Sequence, residues 1–278
     1  MHIRALTAED IAFGLSLCAQ NRWNQLEPDW QRQLALEPAG CFVAEHDGQR
    51  AGTACFCTFG AIAWINLVLV ERTMRKQGIG TALLRHVLDA LDARGITSVR
   101  LDATALGQPV YARLGFAPEF TLARFAGVPA PTADSPAGVE PVALSDLPAL
   151  YALDEAVTGT RRDKLLRHFL EHAPATGRKI ASPNQVEGFC WARPGANAWH
   201  IGPVQGSPAA CRPLLLDAAN RFAGQRVYID VPIANAEAMA LMEELRFTEE
   251  RRFVRMGRGP RVVEQLHHFW GSFGPEKG

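Results

Sequence analysis

A short stretch in the first third of the chain combines glycines and cations in a spacing that suits anion binding. An apolar run over residues 61–70 is followed by Arg75, Lys76, Gly78 and Gly80, and then by a helical pattern. We interpret this as a strand, a glycine-rich turn and a helix. The turn would present backbone N–H groups at a helix start, where the helix dipole favours negative charge. Because glycine has no Cβ, the backbone can approach a ligand closely, and a diphosphate suits such a site.

Two well-known diphosphate motifs do not fit this turn. A Walker loop ends in Gly-Lys-Ser/Thr and the dinucleotide fingerprint needs three spaced glycines, whereas residues 75–81 read RKQGIGT. The turn instead resembles the acetyl-CoA loop of the GNAT superfamily of N-acetyltransferases, Arg/Gln-x-x-Gly-x-Gly/Ala, which follows a strand with an end such as LVLV at 67–70. A second stretch, VYARLGF at 110–116, is similar to the late helix of that family, with a tyrosine followed by Gly-Phe.

The resemblance implies direct attack of an amine on acetyl-CoA in a ternary complex, without an acyl-enzyme. The pantetheine arm would pair with Val68 and Val70, and the N–H of Leu69 or a neighbour would polarise the thioester carbonyl. Tyr111 would act as the general acid towards the CoA sulfur, although a packing role for this tyrosine is the alternative. The residues predicted to bind the cofactor are Val68, Leu69, Val70, Arg75, Lys76, Gln77, Gly78, Ile79, Gly80 and Thr81.

The general base and the acceptor pocket are less evident from the residues. Candidate bases are Glu45, Glu71, Asp154 and Asp163, each of which could equally be a surface charge, and a water chain could serve instead. In GNAT folds the region between the first two helices borders the acceptor, so the predicted substrate-binding residues are Trp23, Asn24 and Asn66. The alternatives are that Trp23 fills the core and that Asn66 satisfies a strand edge.

The elements that must position these residues follow from hydrophobic periodicity and turn signals. In the first half the order is βααβββαβαβ, which is the GNAT order. The predicted helices are 8–21, 29–36, 78–94 and 109–114, and the predicted strands are 2–6, 41–45, 51–59, 61–70, 98–103 and 117–125, the last closing the domain. The Asp-Gly pair of HDG at 46–48 predicts a hairpin turn.

Beyond a Pro-, Ala- and Gly-rich stretch the pattern begins again. We predict a catalytic GNAT domain over 1–126, an extended linker over 127–138 and a second GNAT-like domain over 139–278, in the α/β (α+β) GNAT fold with mixed, mostly antiparallel sheets. The second copy has no basic Gly-x-Gly loop, and the two prolines in IGPVQGSP at 201–208 remove N–H donors. It is therefore expected to keep the fold without the cofactor, as in bacterial tandem-GNAT proteins.

Composition excludes several other classes of protein. With 29 basic and 29 acidic residues the chain has no net charge, which disfavours a nucleic-acid binder, and no apolar run reaches membrane-spanning length. The N-terminus lacks the apolar core of a signal peptide, and the six cysteines are expected to be small buried residues in a reducing, cytoplasmic environment. His168 and His172 could share a metal, but a third ligand is not visible, and we predict a solvated helix face and no metal.

Together these observations predict an acetyl-CoA-dependent N-acetyltransferase. The acceptor is expected to be the primary amine of a small molecule, because the neutral charge and the lack of a long charged groove do not indicate a macromolecule. The partner is therefore a small amine, and the protein is expected to be a monomer or homodimer. The alternative is a sensor module that binds an acyl-CoA or metabolite without turnover.

Overall fold

The computed structural model describes residues 1–131, 136–183 and 185–278. Within these residues the chain forms eight α-helices on one 13-stranded sheet. The helices are α1 Ile11–Gln20, α2 Glu27–Leu36, α3 Ile79–Ala93, α4 Gln108–Arg113, α5 Leu147–Thr158, α6 Asp163–His172, α7 Pro208–Arg221 and α8 Ala236–Glu244. The strands are β1 His2–Ala5, β2 Cys41–His46, β3 Gln49–Phe59, β4 Ile62–Val70, β5 Ser98–Ala103, β6 Ala117–Gly127, β7 Glu140–Pro141, β8 Arg178–Ser182, β9 Gln185–Arg193, β10 Trp199–Gly206, β11 Val227–Pro232, β12 Thr248–Arg258 and β13 Phe269–Gly271.

The predicted strand, turn and helix in the first half are confirmed as β4, a short loop and α3. The apolar face of α3, which includes Leu84, Val87 and Leu91, is fully buried with residues of β3, β4 and β5 in one core cluster. Each such side chain contributes about 1.5–3 kcal/mol on burial. The helix ends before Gly95, whose φ of +71° is a conformation that glycine adopts without strain. This packing fixes the loop at the end of β4.

The sheet order differs from the prediction that the strand over 117–125 closes the first half. Strand β6 was predicted to complete that half, but β12, from the far end of the chain, lies between β5 and β6. Val254 pairs with Ala103 on one side and with Thr121 on the other, both antiparallel. Strand β6 in turn pairs with β11 of the second half. The two halves therefore exchange their last strands and share one continuous sheet.

Several boundaries also differ from the sequence prediction. Helix α2 begins at Glu27 rather than 29, because a proline is tolerated in the first turn of a helix. In the second half, strand β7 is limited to Glu140–Pro141, and Leu144–Asp146 forms a 3₁₀ turn. Residues 132–135 of the predicted linker lie outside the described residues.

The last described segment runs through both halves of the molecule. Strand β13, which was expected only to pack as a tail, pairs with β10. Residues 272–278 then reach the first half, where the indole Nε1 of Trp64 donates to the carbonyl oxygen of Pro275 over 3.2 Å. Phe273 is buried against Phe169 of α6, with ring centroids 5.0 Å apart. Residues 269–278 are called the tail below.

Candidate active site

A bulge in β4 shapes the centre of the candidate site. Cys55 pairs with Asn66 and Thr53 pairs with Leu69, so β4 has one more residue than β3 between these pairs. Leu67 lies in the bulge with a φ of +50°, and the Thr53 hydroxyl donates to its carbonyl oxygen over 2.8 Å. A non-glycine residue in this conformation costs about 1–2 kcal/mol. Such strain is typical of functional sites, where it aims a backbone group.

On its other side, β4 separates from β5, starting just before the bulge. Strand β4 pairs in parallel with β5 only over residues 62–64, opposite Ser98–Arg100. No described strand pairs with residues 65–70 on the β5 side. Their backbone groups on that side are therefore available to an extended ligand, as in the addition of a strand to a sheet edge. Val68, Leu69 and Val70 lie in this open part, as the sequence predicted.

The loop after β4 has the backbone of an anion site. Lys76 and Gly78 have φ of +64° and +82°, and the first helical bond of α3 runs from the Ala82 N–H to the Gly78 carbonyl at 3.0 Å. The N–H groups of the preceding helical residues therefore have no carbonyl one turn earlier to bond. A Cβ on Gly80 would lie 3.4 Å from the Val70 side chain, so the helix start packs closely on β4.

Arg75 turns back to the protein, since its Nε donates to the Val70 carbonyl at 3.2 Å and its Nη2 to Asn21 Oδ1 at 2.8 Å. It adds positive charge near the loop and anchors the end of β4. Lys76, Gln77 and Gly78 are exposed, whereas Ile79 is buried in the core beneath the loop. The N–H of Thr81 belongs to the first turn of α3.

A cavity lies beside the bulge and between the two halves of the chain. It is lined by Trp23, Asn24, Gln25, Ile65, Asn66, Leu67, Val68, Leu101, Asp102, Thr104, Tyr111, Arg124, Arg251, Phe253, Pro275 and Glu276. The structure thus brings Tyr111, Val68 and the three predicted acceptor residues to one space.

Tyr111 lies on α4 at the wall of this cavity. Its ring packs at 66° to the ring of Phe116, with centroids 6.0 Å apart. A Cβ on Gly107 would come within 2.8 Å of the Tyr111 ring, so the absence of a side chain there makes room for it. Burial raises the pKa of Tyr111 above its ordinary value. The hydroxyl is therefore protonated at neutral pH, as a general acid must be.

The three predicted acceptor residues have different surroundings. Trp23 lines the cavity and also packs on the core around α1 and α2. Asn24 lines the cavity, but its Oδ1 accepts the N–H groups of Asn197 and Ala198 at 2.8 and 3.1 Å, so its polar end holds the loop before β10. Asn66 donates to Gln33 Oε1 at 3.2 Å, and its own Oδ1 is buried without a hydrogen-bond partner among the described residues.

None of the four carboxylates suggested as bases lines the cavity. Asp154 is buried in an ion pair with Arg162, and the Glu71 side chain accepts the Arg72 N–H at 2.8 Å. The other two, Glu45 and Asp163, pair with arginines at the surface. The cavity has carboxylates of its own, Asp102 and Glu276.

Sequence reasoning missed the cavity residues that come from distant parts of the chain. Arg251 and Phe253 come from β12, Arg124 from β6 and Glu276 from the tail. They reach the site only because the halves exchange strands and the tail crosses the interface. No local pattern marks them, since their partners lie more than 100 residues away in the chain.

Ion pairs neutralise most of the charge at the cavity. Asp102 accepts two bonds of 2.9 Å from Arg255, and the Glu276 Oε1 accepts from Arg193. Arg124 donates two bonds of 2.7 Å to Asp230. Within the described ranges, the guanidinium of the half-buried Arg251 has no hydrogen bond or ion pair.

The equivalent region of the second half is filled by the chain itself. Strand β10 pairs with β11 only at residues 199–200, and β13 then pairs with β10 at Val204 and Gln205. The N-terminus of α7 is capped by the Ser207 hydroxyl, which accepts the Ala210 N–H at 3.3 Å. The positions equivalent to the open strand edge and to the uncapped helix start of the first half are thus occupied here.

The described residues contain neither a group of three or more potential metal ligands nor a helix of the length and apolarity that a membrane span requires. His168 and His172 stack on each other with centroids 3.9 Å apart. Burial lowers the pKa of His168 to about 4, so the His168 imidazole is neutral at neutral pH.

Sequence profiles of known families match both halves. Residues 10–116 match the Acetyltransferase (GNAT) family, and residues 150–271 match an Acetyltransferase (GNAT) domain. A characterised relative, holothin acyltransferase of Pseudoalteromonas sp. (strain SANK 73390), is 26% identical over 249 residues, which cover 88% of this chain and 84% of the relative.

Solved structures share the fold over almost the whole chain. A candidate acetyltransferase from Pyrococcus horikoshii superposes with a TM-score of 0.86 at 24% identity, covering 100% of this chain and 95% of the other. A tandem GNAT protein from the clavulanic acid biosynthesis pathway superposes with a TM-score of 0.66 at 16% identity, covering 94% and 99%.

The family profiles and the acyltransferase relative identify the chain as an enzyme of acyl transfer. With both halves matched by family profiles, the chain belongs to the GNAT superfamily as a tandem member with two GNAT domains. Enzymes of this superfamily use acetyl-CoA.

Proposed function

We propose that this enzyme transfers an acetyl group from acetyl-CoA to the primary amine of a small molecule, by direct attack. The observation that carries the proposal is one cavity that adjoins the open part of β4, the Tyr111 hydroxyl and a set of side-chain oxygens. A transferase of this kind needs those three features in one place: a site for the thioester, an acid and a site for the amine.

The residues of the first half fit acetyl-CoA. The N–H groups of the first turn of α3 suit a diphosphate. Gly78 has a positive φ, and without a side chain it leaves room for the diphosphate beside the loop. Residues 68–70 of β4 offer backbone groups to the pantetheine amides. When bound, acetyl-CoA supplies a thioester whose carbonyl carbon accepts the amine.

The proton on Tyr111 has a defined use in this proposal. The departing thiolate needs a proton, and the phenol oxygen of Tyr111 holds one at neutral pH, since even an ordinary tyrosine has a pKa of about 10 and burial raises the pKa of Tyr111 further. Leu67 and Val68 of the bulge line the cavity, and a backbone N–H group of this region would stabilise charge on the thioester oxygen.

The opposite wall of the cavity suits an amine. The side-chain oxygens of Gln25 and Asn66 are buried without a hydrogen-bond partner in the described part of the chain, and Glu276 contributes a carboxylate. A primary ammonium offers three N–H donors and would satisfy oxygens that are otherwise costly to bury. Glu276 is held by Arg193 and by Gln25 Nε2 at 3.2 Å, which positions its carboxylate.

The position of the cavity supports a small acceptor. The second half covers the cavity with β12 and the tail, so an acceptor must fit between the two halves of the chain. By its name, the related holothin acyltransferase transfers an acyl group to holothin.

The test compares two tyrosines. We expect Tyr111→Phe to lower kcat by about 100-fold or more while the Kd of acetyl-CoA changes little, because only the acid is lost. Tyr151→Phe is the matched control, because Tyr151 lies on α5 and does not line the cavity. Release of CoA thiol from acetyl-CoA with a panel of small amines measures kcat, and calorimetry measures Kd.

Equal turnover by both variants would remove Tyr111 from the mechanism. Tight binding of acetyl-CoA without CoA release for any amine would favour the alternative, a non-catalytic sensor of acyl-CoA.

A further inference from the structure

The unpaired guanidinium of Arg251 is the feature of the cavity that acyl transfer to an amine does not explain. The other charged groups of the wall are compensated: Asp102 by Arg255, Arg124 by Asp230 and Glu276 by Arg193. Arg251 is half-buried and has no such partner among the described residues. A guanidinium partly removed from water favours an anion that accepts its planar set of N–H donors.

The position of Arg251 is set by the exchanged strand. It pairs in register with Arg124 of β6, next to the irregularity between Glu249 and Arg251. Arg124 is fixed between the rings of Tyr228 and Phe253, each 5.0 Å from its guanidinium carbon, and donates to Asp230. Because Arg124 is already bound to Asp230, Arg251 is the one of these two arginines that can bind a ligand.

Arg251 also lines the outer end of the cavity. It belongs both to the cavity and to a surface depression formed with Arg22, Asn197, Tyr228 and Glu250. Within the described ranges, the side chain of the exposed Arg22 has no hydrogen bond or ion pair either. Glu250 is engaged by Arg226, so the uncompensated charge at the mouth is positive.

The cavity therefore offers two kinds of polar contact. The unpartnered oxygens of Gln25 and Asn66 favour the N–H donors of an ammonium, whereas Arg251, which lines both the cavity and the surface depression, favours an anion. We propose that the acceptor is an amine that also carries an anionic group, such as a carboxylate, and that Arg251 binds this group. The inference rests on the proposed function and narrows its substrate class to amino acids and similar anionic amines.

The experiment uses pairs of acceptors that differ only in charge. The probes are β-alanine, 4-aminobutanoate, 5-aminopentanoate and 6-aminohexanoate, each compared with its primary amide by CoA release from acetyl-CoA. We expect the best carboxylate to exceed its amide in kcat/KM by about 10-fold or more, since each partly buried charge-assisted contact strengthens binding by that order. In Arg251→Gln the ratio should fall to about one, and Arg251→Lys should retain part of it.

Arg252→Gln is the matched control, because Arg252 is the next residue of β12, is 59% exposed and pairs with Glu249. It should leave the ratio unchanged. The ratio is an internal measure, so a loss of folded protein in any variant does not alter it.

The outcomes separate the two proposals. Turnover of carboxylates and amides at equal rates, or an equal ratio in Arg251→Gln and the parent, overturns the inference and leaves the acetyltransferase proposal standing. Weaker acetyl-CoA binding in Arg251→Gln with an unchanged ratio also overturns it, because the guanidinium would then serve the phosphates of the nucleotide. Absence of acetyl-CoA binding, or of CoA release with every probe, refutes the proposed function and the inference together.

Discussion

At the scale of single residues, backbone conformation distinguishes the site from its surroundings. Leu67 and Lys76 both have positive φ without being glycine, one in the bulge of β4 and one in the loop before α3. Each costs about 1 kcal/mol or more, which the packing of β3 and α3 must offset. One strained residue therefore lies within the open strand edge, and the other lies in the loop after it, where acetyl-CoA is proposed to bind.

Gly78 provides the test at this scale. We expect Gly78→Glu to weaken acetyl-CoA binding by 100-fold or more, since a carboxylate at the helix start repels the diphosphate and the φ of +82° is unfavourable for any side chain.

Gly48→Glu is the control for Gly78→Glu, because Gly48 has a φ of +76° and an equally open Cβ position at a hairpin turn far from the loop. Calorimetric titration gives both dissociation constants. Equal binding by the two variants would place the diphosphate elsewhere.

At the scale of elements, the residue after α2 connects helices of both halves. Glu37 accepts the Thr58 N–H and hydroxyl at 3.0 and 2.6 Å, Arg94 at 2.9 Å and Lys164 of α6 at 3.0 Å. Burial alone would raise the pKa of Glu37, but the Thr58 bonds and Lys164 outweigh it and lower the pKa to about 2. The carboxylate thus contributes to stability only while it is ionised.

The sign of the pH effect follows from this lowered pKa. The contribution of Glu37 is fully present above the ordinary pKa of 4.5 and is lost as the pH falls towards about 2. We expect Glu37→Gln to lower the free energy of unfolding by about 1–2 kcal/mol at pH 7, allowing for the exposure of its cationic partners. The difference from the parent should shrink at pH 3.

Urea unfolding at both pH values measures the Glu37 effect. Glu9→Gln, at an exposed position, is the control and should show no difference at either pH. A gap that stays constant from pH 7 to pH 3 would contradict the assignment.

At the scale of the whole molecule, the exchange of β6 and β12 makes the halves interdependent. A fragment of residues 1–126 would lack the strand between β5 and β6, and a fragment of 139–278 would lack the partner of β11. Unpaired edges and exposed apolar faces destabilise a sheet and promote aggregation. The domains proposed over 1–126 and 139–278 are therefore units of sequence rather than units that fold alone.

Expression of the two fragments tests this interdependence. Each fragment alone should be largely unfolded or aggregated by circular dichroism and size-exclusion chromatography, whereas co-expression should give a folded complex that binds acetyl-CoA. A monomeric, folded 1–126 fragment would show that β12 is dispensable.

The tail predicts the number of cofactor sites. Because β13 occupies the gap between β10 and β11, and Ser207 caps α7, we expect one acetyl-CoA per chain. Calorimetric titration of the full chain measures this stoichiometry. Two sites would mean that β13 leaves its groove when the cofactor binds.

Features carried by neighbouring residues could be predicted from the sequence. The Gly-x-Gly loop, the apolar face of α3 and the position of Tyr111 on a short helix each depend on contacts within a few residues, and periodicity and glycine spacing encode these directly. The absence of a basic glycine loop in the second half could be read in the same way. These signals were sufficient for the family and the fold, and the location of the acyl-transfer site stays a prediction.

The tertiary structure alone decided which distant segments complete the site. Strands β6 and β12 have similar lengths and mixed patterns, so nothing local determines which of them lies beside β5. The contributions of Arg251 and Glu276 depend on that pairing and on the path of the tail through the second half. Strand order is decided by the combined packing of residues more than 100 positions apart, and a single sequence carries no short-range record of it.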